Sequence, residues 1–166
     1  VIVFVRTRIR AERVARAMER VGLHSLTIHG EKDQAERTSV MRKFKEGECN
    51  LLIATDVSAR GIDIPDVNYV INYDLPEKAE NYVHRVGRTG RGDNKGIALS
   101  FCSSDEKMRL QEIQQFLNKE IEVVKVGKKD YGLTLGASSA KTGVEALIEE
   151  HEAWLKTKRK KRKSRK

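Results

Sequence analysis

The chain has 166 residues, 39% of them hydrophobic and 34% charged, with a formal net charge of +9. That length suits one domain of the usual ~100–150 residues plus an appendage. The apolar content is enough for a packed core, and no apolar run approaches the ~20 residues of a membrane span. In chain order, VIVFV (1–5) reads as a buried strand, followed at once by charges, unlike a secretory signal. Residues 9–21 read as a helix with Ala11, Val14, Ala15, Met18 and Val21 on one stripe. SLTIH (25–29) is a short strand, and 33–47 a helix opened by Asp33, closed by Gly47, with Met41 and Phe44 turned inward. Strands follow at 50–55, 67–73 and 96–102, helices at 78–86 and 105–118, and a last strand is expected at 120–126. Strands alternating with helices predict an α/β fold, with a parallel sheet covered by helices on both faces. Its functional loops should gather at the carboxyl ends of the strands.

The charge is uneven. KTKRKKRKSRK (156–166) holds nine Lys or Arg and no acid, so the other 24 of the 33 basic residues balance the 24 acids. Any basic site in the body must therefore be built by clustering. Cys49 and Cys102 lack metal-ligand spacing, which argues against a metal site and fits a reduced, cytoplasmic setting, or a nuclear or nucleolar one in a eukaryote. The clustering occurs in HRVGRTGR (84–91), where Arg85, Arg88 and Arg91 recur at every third position beside Gly87 and Gly90. A guanidinium stays charged and donates paired hydrogen bonds, and glycine lets backbone approach an anion closely. The stretch suits a phosphate, or else it is a basic helix end. RTR (6–8), GEKDQAER (30–37) and TDVSARGID (55–63) follow three other strands, and all four stretches are expected to converge on one sheet edge.

The strings ATDVSARGIDIPDVNYVINYDLP (54–76) and YVHRVGRTGRGDNKGIALSF (82–101) closely resemble the second core domain of DEAD-box RNA helicases. VIVFVRTR is similar to that family's motif IV and HGEKDQAER to its glutamine–arginine motif, with Glu31 in place of the more usual Asp. Thr55 to Asp63 resemble motif V, and His84 to Arg91 motif VI, where His rather than Gln is the DEAD-box form. The resemblance covers residues 1–126 and implies a RecA-like, three-layer domain. Paired with an N-terminal lobe of the same protein, it would close over ATP and single-stranded RNA. By that resemblance Arg88 and Arg91 are arginine fingers toward the γ-phosphate, with His84 coupling the ATP site to the other lobe. Asp63 and neighbouring Gly61 would face the nucleotide, Asp63 through the ribose hydroxyls. Thr7, Gly30, Gln34, Arg37 and Thr55 would hold the RNA backbone, Arg60 would lock the closed lobes, and Arg85 reads equally as an intradomain ion pair. Such contacts read no bases, so binding should show little sequence preference.

No GxxxxGK[ST] loop and no DEAD string is present, and GASSAKTG (136–143) has Ala140 where the second glycine belongs. The Mg²⁺ and most of the ATP site therefore belong to the other lobe. This piece alone should be monomeric and inactive, a part of an ATP-hydrolysing helicase. The start in a strand without Met fits an excised piece. The alternative is a non-catalytic RNA-binding or regulatory module of the same fold. Residues 127–155 read as an extension with one amphipathic helix (143–158) carrying His151 and Trp154. Residues 156–166 read as a disordered basic tail, either an RNA tether, a nuclear address or a solubilising end.

Overall fold

The computed structural model describes residues 1–56, 66–90 and 96–124. The elements are β1 (Ile2–Val5), α1 (Arg8–Arg20), β2 (Leu26–Ile28), α2 (Gln34–Lys45), β3 (Leu52–Thr55), β4 (Tyr69–Asn72), α3 (Ala79–Val86), β5 (Ile97–Ser100), a 3-10 turn (Ser104–Glu106) and α4 (Lys107–Leu117). The strands form one sheet in the order β2-β3-β1-β4-β5, and every pairing is parallel. β1 and β3 are buried at all four positions, as near-continuous apolar runs require when helices cover both faces. Ile2 and Phe4 look toward Met41 and Phe44 of α2, while Val3 and Val5 look toward Ala11 and Val14 of α1. Alternation along β1 thus divides its side chains between two cores, giving three layers. A third cluster joins Leu75, Tyr82 of α3 and Ile113 of α4.

Local chemistry sets the helix ends. Asp33 and Glu36 form a reciprocal capping box at the start of α2, at 2.8 and 3.1 Å. Gly47 follows the helix at φ +77°, a conformation that favours glycine. Asp33→Ala is expected to cost about 1 kcal/mol, seen as a lower urea midpoint at unchanged slope. An unchanged midpoint would mean that the box adds nothing.

Two details differ from the sequence reading. Val21 is the C-cap of α1 and stands 57% exposed, past the buried stripe. The strand expected at 120–126 is absent over 120–124, and the rest of it lies outside the described residues. Ile121 packs against the third cluster, but Val123 is 70% exposed. A β-branched run supplies propensity, yet a strand needs a ladder partner, and none is offered among the described residues. The extension helix and basic tail also lie outside the described residues. Among the described residues no helix is long and apolar enough to cross a membrane.

Candidate functional site

Register brings three loops together. Val5 pairs with Thr55 and Ile28 with Ala54, so Thr7, Gly30 and Thr55 emerge at the carboxyl ends of three neighbouring strands, ~4.8 Å apart. Thr7 caps α1, its Oγ accepting from the Arg10 N–H at 3.2 Å. That bond uses a lone pair and leaves the hydroxyl hydrogen free to donate. Gly30 and Gln34 are exposed, Arg37 is half-buried and Thr55 is buried. The first turn of α1 carries Arg8 and Arg10 with no acid, so side-chain charge adds to the positive end of the helix dipole. Arg8 ion-pairs with Glu31, linking the loop after β1 to the loop after β2. The result is an edge of hydroxyl, amide and N–H donors.

The arginine-rich stretch does not join that edge. The Arg88 carbonyl accepts from the N–H of Val67, which precedes β4, at 2.9 Å, and the Thr89 hydroxyl donates to the Val67 carbonyl. α3 leaves the carboxyl side of β4 and ends near its amino side, so one expected edge is in fact two. Helix length is the cause, because eight residues rise about 12 Å, roughly the depth of a four-residue strand. Gly90 has φ +77°, and Gly96 lies so near that an added Cβ would stand 1.9 Å from the Thr89 hydroxyl. Those two glycines permit the close packing of this loop against the start of β5. The Arg88 guanidinium is half-buried and bonds to no acid among the described residues, and His84 is exposed. Gly61, Asp63, Arg60 and Arg91 lie outside the described residues.

Arg85 is different: it is 2% exposed. Its Nε and Nη2 donate to the two Asp56 carboxylate oxygens at 2.6 and 2.8 Å, and Nη1 to Asn72 Oδ1 and the Asp74 carbonyl at 3.1 and 2.7 Å. Its Cζ lies 5.1 Å from the Phe4 ring centroid. The side chain points back along the helix toward the carboxyl edge. Of the two readings of Arg85, the intradomain ion pair is the one formed.

The fold agrees with that of the solved relatives that the chain matches. Residues 1–93 match the family described as "Helicase conserved C-terminal domain". The DEAD-box protein SrmB of E. coli, solved with regulator of ribonuclease activity A, is 38% identical at a TM-score of 0.71, covering 75% of this chain and 74% of that one. The C-terminal domain of the DEAD-box protein Dbp5 is 35% identical at 0.71, covering 83% and 80%.

The chain belongs to the DEAD-box family.

Within that family it is the C-terminal RecA-like domain. The DEAD-box ATP-dependent RNA helicase CshA of Geobacillus kaustophilus is 39% identical over 92% of this chain, and DEAD-box ATP-dependent RNA helicase 5 of Arabidopsis thaliana 46% over 80%. The chain spans 36% and 25% of their lengths.

In this DEAD-box domain one polar network went unread in the sequence. Asp74, 2% exposed, accepts the Arg6 N–H at 2.9 Å and pairs with the Arg10 guanidinium. Glu106 accepts from Arg6 Nη2 at 2.6 Å, from the Leu75 N–H at 3.2 Å, and from the Ser103 N–H and hydroxyl at 3.2 and 3.1 Å. These bonds tie the ends of β1, β4 and β5 together. An acid directly after an apolar strand, as in NYDLP, is the one local sign of them.

Proposed function

We propose that this domain is the C-terminal half of an ATP-dependent RNA helicase, as its relatives CshA and DeaD are named. It would grip the RNA backbone at the edge formed by Thr7, Gly30, Gln34, Arg37 and Thr55, and offer Arg88 and Arg91 to ATP held by an N-terminal lobe. The observation that carries this reading is the convergence of those strand ends into a donor-rich face without base-reading geometry. Hydroxyl, amide and backbone donors suit phosphate and sugar oxygens on any sequence. At the other edge, Arg88 is a guanidinium that no acid neutralises among the described residues, held on a loop clipped to Val67. Arg91 would work beside it, with Gly61 and Asp63 toward the nucleotide. ATP supplies the phosphoryl group and the other lobe its Mg²⁺. This domain's part is to place positive charge and to exclude water as the lobes meet. The exposed His84 would couple that site to the facing lobe. RNA and nucleotide thus occupy opposite edges of one sheet, and closure against the second lobe would strain the bound strand and open short duplexes.

Gln34→Ala and Arg37→Ala in the full two-lobe protein test the RNA edge. Each removes one or two backbone hydrogen bonds, so half-saturating RNA in the ATPase assay should rise about tenfold, equally for unrelated sequences. Gln34 is exposed, and its variant should melt as the parent does. A loss confined to one RNA sequence would contradict backbone contact.

A further inference from the structure

The carboxyl edge continues past Thr7 onto β4 and β5, where it opens a cleft of about 800 Å³. Tyr73 and Phe101 stand one residue beyond the paired strand ends Asn72 and Ser100. Their rings meet edge to face at 6.0 Å and 89°, yet remain 42% and 57% exposed. Backbone bonds fix both residues, the Tyr73 N–H to the Phe4 carbonyl and the Phe101 N–H to the Asn72 carbonyl, each at 2.9 Å. Asp74 and Glu106, on the cleft floor, are already neutralised by Arg10 and Arg6. Arg13 of α1 and Arg109 of α4 also line the cleft, and neither pairs with an acid among the described residues. The one remaining acid is Asp105, so the available charge is positive. Arg6 belongs both to this cleft and to the loop that holds Thr7.

We infer that the cleft receives the next one or two unpaired nucleotides of the RNA strand, a base against Tyr73 and Phe101 and a phosphate against Arg13 and Arg109. This rests on the RNA edge proposed above and extends it by about two strand spacings, ~10 Å. Aromatic rings beside cations are the means by which single strands are held without sequence preference. An acidic peptide would find the same charge. Besides the two rings, however, the apolar lining is only Val14 and Ala17, too little to seat a large hydrophobic anchor.

The test uses the full two-lobe protein and two oligouridines, six and twelve nucleotides long. The paired change Tyr73→Ala with Phe101→Ala should weaken the longer strand about tenfold and the shorter one less than about twofold. Arg13→Gln with Arg109→Gln, an independent pair, should lower the log–log salt slope for the longer strand by about 0.7, the share of one phosphate. Unchanged affinity and slope for the longer strand in both variants would overturn the cleft assignment while leaving the RNA edge intact. The RNA edge itself fails separately, if Gln34→Ala is silent with both lengths. Binding of an acidic aromatic peptide that both paired changes abolish, with no effect of those changes on RNA, would give the cleft to a protein partner instead.

Discussion

In a thermal melt, Arg85→Ala is expected to lower the transition by about 10 °C or more, the equivalent of roughly 3–5 kcal/mol. Four of the five guanidinium N–H donors are used, on Asp56, Asn72 and the Asp74 carbonyl, and the group covers the Phe4 ring. Alanine would leave a cavity over Phe4, a carboxylate without its counter-charge and two acceptors without donors. Breaking a buried pair from one side is costly because the remaining charge stays behind, whatever the intact pair contributes. Arg85→Lys should recover less than half of the loss, since a single ammonium cannot reproduce a fork that reaches three residues. An alanine variant that melts within about 2 °C of the parent would show that the strut carries little stability.

Three residues along, the expectation reverses. Arg88→Ala should leave the melt unchanged, because the side chain bonds to nothing among the described residues while its backbone bonds survive. In the full two-lobe protein the same change should depress ATP turnover at saturating RNA by about 10³–10⁵, the usual contribution of an arginine finger. Equilibrium ATP binding should change far less, since the charge that a finger meets develops during transfer. Turnover within tenfold of the parent would remove Arg88 from that role. Measured side by side, the two variants separate the scaffold of the arginine-rich stretch from its chemistry.

Much of the fold was legible in the residues, for reasons that can be named. VIVFV and LLIA (51–54) are apolar at every position because both faces of β1 and β3 are covered, and Asp33 announces α2 because a carboxylate with Glu three residues on satisfies free N–H groups. The convergence of Thr7, Gly30 and Thr55 follows from parallel pairing, which brings strand ends to one side. Position across the sheet was less legible. HRVGRTGR follows β4 in the chain, and only the length of α3 reveals that it comes to rest near the amino side. The Arg6–Glu106 and Arg10–Asp74 pairs join residues 100 and 64 apart in sequence, and no local pattern encodes such partners. The expected last strand failed for the same kind of reason, since whether Val123 pairs depends on an edge elsewhere. Tyr73 and Phe101 read as ordinary strand ends until their exposure is known.

The contacts of α3 carry a consequence for the segment that holds Gly61 and Asp63. Asp56, just before it, is gripped by Arg85, and Val67, just after it, is bonded to Arg88 and Thr89. One short helix and its trailing loop thus anchor both posts between which that segment is strung. The entropy of bringing those posts together is spent when the domain folds. The posts are also fixed relative to the backbone of Arg88.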